Sequence, residues 1–171
     1  MSERWSSVEQ APSPDAFREV LGRFATGVSI MTTVVDDVPH GMTANALASV
    51  SLDPPLVLVC VERSTVMAER VLAAGMFALS FLASDQIELS VRFADPQRPE
   101  GAAQFAGVAT TTAATGTPVL EGGVGWVDCR VWASYDGGDH VIVVGEVVDL
   151  GCGGRADPLI FYRSAYRTLS L

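Results

Sequence analysis

Lysine is absent from this chain of 171 residues, and all 11 basic side chains are Arg. Without Lys there is no phosphate-binding Walker-A lysine and no Schiff-base amine, so P-loop and pyridoxal-phosphate chemistry are excluded. Any phosphate must be held by Arg, hydroxyls and backbone N–H groups. Positive charge is scarce altogether. Against 20 acidic residues the net charge is −9, which argues against a nucleic-acid partner and does not suggest a membrane surface. The two histidines, His40 and His140, have no second ligand at metal spacing, so no metal site is expected. Cys60, Cys129 and Cys152 are odd in number and form no C-x-x-C pair. Free thiols in a reducing cytoplasm are the natural expectation. No G-x-G-x-x-G follows a strand pattern, so a Rossmann dinucleotide site is unsupported. Long apolar runs are missing too. The longest uncharged stretch, Gly101 to Leu120, is mostly Ala, Thr and Gly, so no membrane span is expected. The polar N-terminus, with Glu3, Arg4 and Glu9, does not read as a signal peptide.

What is present is apolar: 49% hydrophobic residues and a mean hydropathy of +0.31. A well-filled core is one explanation of that surplus and a subunit interface buried in a homodimer is the other; the homodimer is the favoured expectation. Residues 1–14 read as a flexible arm and 15–171 as one domain. Phe17, Val20, Leu21 and Phe24 recur at helical spacing and predict a helix over 15–26, capped by Ser13. Val28 to Val35 is a β-branched strand, Asp36-Asp37 a turn, and the segment from Gly41 a second strand broken at Pro54-Pro55. Leu56 to Val61 reads as a strand buried on both faces. Helices over 65–74 and 85–94 flank a strand at 76–82, and 107–112 is a further strand. Trp126 to Tyr135 alternates, with Val127, Cys129 and Val131 on one face and Asp128 and Arg130 on the other. On that alternation Trp126 and Trp132 share a face. Asp136-Gly137-Gly138-Asp139 is a hairpin turn, returning as a strand over 140–150 with Gly145 a candidate bulge. Segments 159–163 and 166–169 close the chain. Many short strands with few helices predict a mainly β fold, a closed antiparallel barrel rather than a doubly wound sheet.

The run from Gly41 to Pro55, GMTANALASVSLDPP, carries the functional signal. Small side chains let a flat ligand lie against backbone amides. Hydroxyls and Asn45 supply hydrogen bonds, and no carboxylate precedes Asp53 to repel an anion. This run resembles the G-M-T-A-N-S-x-x-S-V-S-L-x-P-P block of the short-chain flavin reductases, the reductase partners of two-component flavin monooxygenases. Phe24-Ala25-Thr26-Gly27-Val28, Gly138-Asp139-His140 with Val144-Gly145-Glu146-Val147, and Pro158 to Arg163 resemble three further family motifs in the same order. The resemblance spans nearly all of the chain after the first dozen residues.

The resemblance implies a split antiparallel β-barrel of the FMN-binding type, dimeric, with FMN or FAD near the subunit interface. It implies an NAD(P)H:flavin oxidoreductase that moves hydride from NADH or NADPH to flavin and passes reduced flavin by diffusion to a partner monooxygenase. Thr43, Ala44, Asn45 and Ala46 would line the flavin ring, with Ser49 and Ser51 towards the ribityl chain and phosphate. Arg63, Ser64 and Thr65, at a helix start, would hold the phosphate. Arg92 and Phe93 would close over the flavin. His140 would face the nicotinamide, and Tyr162 and Arg163 would help seat it. Ala46 stands where the family usually has Ser, which removes one hydroxyl contact. Two other readings stay open: a flavoprotein that keeps its flavin and reduces another acceptor, and a non-catalytic flavin-binding module. His140 beside a Gly-Gly turn also fits a plain surface residue.

Overall fold

The computed structural model describes residues 11–155 and 157–169. Most of the expected N-terminal arm lies outside the described residues. Chain order is helix α1 (Pro14–Leu21), strands β1 (Thr26–Gly27), β2 (Ser29–Val35), β3 (Val38–Ala44), β4 (Leu47–Leu52) and β5 (Pro55–Glu62), helix α2 (Val66–Ala74), strand β6 (Met76–Phe81), helix α3 (Ile87–Ala94), a 3-10 turn (Gly101–Phe105), and strands β7 (Thr110–Thr112), β8 (Pro118–Leu120), β9 (Gly125–Gly137), β10 (His140–Cys152), β11 (Ile160–Tyr162) and β12 (Ala165–Arg167). The main sheet is seven-stranded and antiparallel, in the order β3-β2-β6-β9-β10-β5-β4. Its two edge strands, β3 and β4, are joined by only Asn45 and Ala46. So short a link brings the edges together and curls the sheet. No ladder of hydrogen bonds joins β3 to β4, and the barrel stays split there.

Turn chemistry fixes the register. Asp36 and Asp37 both take positive φ, 50° and 62°, as a two-residue hairpin with right-handed strand twist demands. In the β9–β10 hairpin Gly137 pairs with His140, and Gly138 at φ 76° supplies the left-handed turn residue. A bulge follows at the expected Gly145, with Trp132 the extra residue on β9. That takes Trp132 out of the simple alternation. Gly145 is required there for space, because a Cβ would stand 2.5 Å from Phe77 Cζ.

One core cluster fills the barrel with Met31, Val59, Val61, Phe77, Leu79, Cys129 and Val143, and α2 adds Met67 and Val71. Each such side chain contributes roughly 1.5–3 kcal/mol by leaving water. A second cluster holds Ile30, Leu82, Phe93, Leu120 and Leu159.

Four expectations change. The first helix ends at Leu21, not Thr26, and buries none of its residues. Its apolar stripe is open, with Phe17 and Phe24 59% and 71% exposed. The run from Gly41 is two strands on opposite sheet edges, not one. β5 is not buried on both faces: Val59 and Val61 are fully buried on one, while Leu56, Leu58 and Cys60 on the other are half-buried. Asp128, on the face opposite Cys129, is itself fully buried. It stays satisfied by accepting from the Thr115 backbone N–H and hydroxyl, both at 2.7 Å.

Candidate active site

Where β3 gives way to β4 the chain opens onto a cleft of about 470 Å³. Asn45, Ala46 and Leu47 form one side, Phe17, Leu21 and Phe24 of the α1 segment another, and Phe161 of β11 a third. Arg18 is the one charged side chain in the lining. Asn45 Nδ2 donates to Thr26 Oγ1 at 3.1 Å, and Ala46 O accepts from Cys60 N–H at 2.9 Å. These bonds hold the two-residue link while leaving its side chains exposed.

The four residues expected to line the flavin ring divide in two. Asn45 and Ala46 face the cleft. Ala44 is buried in the barrel core, and the Thr43 hydroxyl is bound to Ser90 O at 2.7 Å. Ser90 Oγ in turn lies 2.8 Å from the Tyr166 hydroxyl, and Tyr166 packs edge-on against Phe161. Thr43 therefore supports the cleft wall from behind.

Ser49 and Ser51 run the other way along the sheet edge. Ser51 pairs with Leu56, near the start of β5, whereas Arg63, Ser64 and Thr65 follow its end. At about 3.3 Å per residue that separation is on the order of 20 Å. The two serines and the 63–65 loop do not converge on one phosphate within a single chain, and this corrects the sequence reading. By contrast Ala46, level with Cys60, lies only two to three residues short of that loop, about 7–10 Å.

The 63–65 loop is well ordered by its own bonds. Thr65 caps α2, and its hydroxyl donates to Glu62 O at 2.7 Å. Ser64 Oγ donates to Glu62 Oε1 at 2.6 Å. Arg63 reaches across to the β9–β10 turn, donating through Nη2 to Asp136 Oδ1 at 2.6 Å and through Nε to Gly138 O at 2.9 Å. Its Nη1 makes no hydrogen bond to the described residues.

His140 stands directly opposite Glu62 across the β5–β10 ladder. Its Nδ1 lies 2.7 Å from Asp139 Oδ1. The imidazole and its charge hold the Asp139 carboxyl below the usual carboxylate range, and Arg18 in the cleft wall adds to this. An ionised carboxylate only accepts, so Nδ1 carries the proton and Nε2 is left for another partner.

Phe93 does not reach the cleft. It is fully buried against Phe105, ring centroids 5.3 Å apart, beneath Gly41. Arg92 donates to Ala106 O at 3.0 Å and ties α3 to the 3-10 turn. Neither is placed to close over a ligand at Asn45. Tyr162 and Arg163 sit beside the cleft, Arg163 N–H donating to Gly22 O at 2.8 Å, but their neighbours Phe161 and Ser164 do the lining.

Sequence reasoning missed the α1 wall, because an amphipathic stripe reads as core when the partner surface is unknown. It also missed a buried network behind the motif. Gly41 N–H donates to Gln104 Oε1 at 2.8 Å, and Arg98 Nε donates to Gly41 O at 3.1 Å. Gln104 Nε2 and Arg98 Nη2 approach His40 Nδ1 and Nε2 at 3.0 and 3.3 Å. Burial, then the charges of Arg98 and Arg70, push the His40 pKa down to about 4. Both neighbours are donors; a protonated ring could accept from neither, and a neutral ring accepts from one of them while its other nitrogen carries the proton. Nothing in the local sequence marks Gln104 as its partner.

The chain matches the flavin reductase like domain over residues 21–170. It is 39% identical over 155 residues to the reductase subunit HsaB of a flavin-dependent monooxygenase of Mycobacterium tuberculosis, covering 90% of this chain and 81% of that one. It is 44% identical over 151 residues to an NADH-dependent FAD reductase of Streptomyces globisporus, covering 88% and 82%. Among solved structures it superposes on BorF, the flavin reductase component of a bacterial two-component tryptophan halogenase, with a TM-score of 0.87 at 39% identity, covering 92% and 98%. It also superposes on a Streptomyces globisporus NADH:FAD oxidoreductase in complex with NAD and FAD fragments, with a TM-score of 0.86 at 34% identity, covering 94% and 97%. A mainly β split sheet, a cleft at the Thr43–Ala46 motif and a match over nearly its whole length place this chain in the flavin reductase-like family.

Proposed function

We propose that the protein is an NADH-dependent flavin reductase that supplies reduced FMN or FAD to a partner monooxygenase. The observation that carries this reading is the break at Asn45–Ala46, which opens on a cleft whose size falls within the ordinary range for small-molecule sites. The donor set fits a flavin. Apolar walls from Phe17, Phe24 and Phe161 suit a flat ring, and Asn45 offers polar atoms at its edge. The 63–65 loop lies about 7–10 Å further on, with the α2 N-terminus and Arg63 Nη1 suited to a phosphate.

When both are bound, the nicotinamide supplies a hydride and the flavin accepts it. The protein needs no nucleophile for this; its residues bind and orient. Asn45 and Ala46 would hold the ring edge, and Arg63, Ser64 and Thr65 the phosphate. His140 would turn Nε2 to the donor's carboxamide, since Nδ1–H is committed to Asp139. A site this open and built of small side chains favours modest affinity, which suits a flavin that must leave by diffusion.

The working species in this reading is a homodimer. Cross-strand rows on the outer face of the sheet are apolar: Ala48, Leu58, Val144 and Ala133 in one, Cys60, Ile142 and Tyr135 in the next. Tyr135 in that row is 58% exposed, and Trp132 at the neighbouring bulge 56%. No helix among the described residues is long and apolar enough to cross a membrane. Three free cysteines agree with a cytoplasmic setting.

The test is oxidation of NADH and NADPH with FMN, FAD and riboflavin added separately. Flavin-dependent loss of the nicotinamide absorbance is expected, faster with NADH. No loss with any flavin rejects the reading.

A further inference from the structure

Arg63 does more than offer a charge to a phosphate. Its backbone N–H donates to Asp139 O at 3.0 Å, its Nε to Gly138 O at 2.9 Å and its Nη2 to Asp136 Oδ1 at 2.6 Å. Asp136 Oδ1 also accepts from Gly138 N–H at 3.1 Å. One side chain and its own backbone thus hold three of the four residues that precede His140. The Arg63 and Asp136 side chains are 48% and 84% exposed. Exposed ion pairs add little to stability, so fold stability does not explain this set of contacts. The geometry is specific all the same: a planar guanidinium satisfies a carboxylate and a carbonyl from two of its nitrogens. The bond from Arg63 is also the main reason the Asp136 carboxyl stays below the usual carboxylate range.

We propose that Arg63 and Asp136 form a clamp on the β9–β10 turn that fixes the Asp139–His140 pair, making both of them positioning residues for the hydride donor. The inference rests on the reading of His140 as the nicotinamide-facing group. The clamp acts in two linked ways. Its side-chain bonds hold Gly138 O and the Asp136 carboxylate, so the turn keeps the Asp139 carboxylate beside Nδ1. It also fastens the turn to the loop proposed for the flavin phosphate, so the two halves of the site move together. Without it, the turn keeps only its backbone pairing and the Gly137-Gly138 step lets the Asp139 carboxylate move off Nδ1, loosening the ring of His140. Misplacing a binding group by about 1 Å is enough to cost a large factor in rate.

Riboflavin as acceptor keeps the flavin phosphate out of the test. With it, Asp136→Ala and Arg63→Ala are each expected to raise the NADH KM by about fivefold to tenfold, with the riboflavin KM unchanged within about twofold. The double variant should fall well short of the product of the two single effects, because both remove the Arg63–Asp136 bond. Arg63→Lys should fall between, since an ammonium cannot reproduce the fork. Amide exchange at residues 137–141 should speed up in Asp136→Ala, while the melting temperature barely moves. Wild-type NADH KM and wild-type exchange in Asp136→Ala would overturn the clamp. His140→Ala separates this from the reading beneath it. If that variant keeps the wild-type NADH KM, His140 is not the nicotinamide group and the positioning role fails with it. If His140→Ala raises the KM and Asp136→Ala does not, the reading stands and the clamp alone is wrong.

Discussion

The two ends of β3 differ sharply although they belong to one continuous motif. At His40 and Gly41 the strand is sealed. Both residues are buried, the Gly41 N–H and carbonyl are matched by Gln104 and Arg98, and Phe93 fills the space a Cβ would need. At Asn45 and Ala46 the same chain lies open, held by one side-chain and one backbone bond. The first half of the motif is selected for packing and the second for access. A glycine-led run of small residues looks uniform in sequence because close packing and ligand approach both need small side chains.

The largest expected effect lies at the sealed end and depends on pH. His40 has a folded pKa of about 4 against an ordinary 6.5. As pH falls, the unfolded chain takes up the proton first, so the folded state loses stability between those two values. The loss is on the order of 3 kcal/mol, read as unfolding free energy against pH. His40→Gln should flatten that part of the curve; an identical slope in the variant would show that His40 is not the group responsible.

Next comes Gly41→Ala. A Cβ there would sit 2.5 Å from Phe93 Cε1, and Phe93 is fully buried. Overpacking of this kind costs about 1–3 kcal/mol, a fall in Tm of roughly 2–10 °C at this chain length. Calorimetry checks it, and an unchanged Tm would mean the Phe93–Phe105 pair can move aside. The matching change at the open end, Ala46→Ser, should leave Tm alone. It restores a hydroxyl at the cleft and should tighten flavin binding by about fivefold, from one hydrogen bond of about 1 kcal/mol. Fluorescence quenching reads this, and weaker binding would place the ring elsewhere.

The frame of the fold was legible in the sequence because it depends on local rules. Asp36-Asp37 and Gly137-Gly138 name their turns, Ser13 and Thr65 cap their helices, and Gly145 sits at its bulge. What was not legible depends on long-range packing. Phe17 and Phe24 look like core until the helix is seen to bury nothing. Asp128 looks solvated until the Thr115–Thr117 segment is folded over it. Phe93, beside Arg92 in sequence, was expected at the ligand and is instead the plug beneath Gly41. Within the motif from Gly41, the structure brings Asn45 and Ala46 to the cleft. Ser49 and Ser51 lead away from the 63–65 loop, because a motif continuous along the chain diverges in space once it crosses between two sheet edges.

The central claim is a divided site, with flavin at Asn45–Ala46 and the nicotinamide at His140. His140→Ala, measured for NADH kinetics and for flavin binding by fluorescence quenching, tests that division most directly. The NADH KM should rise by about 10–100-fold, or reduction should slow by as much, while flavin affinity changes little. Collapse of flavin binding with NADH kinetics unchanged would contradict it.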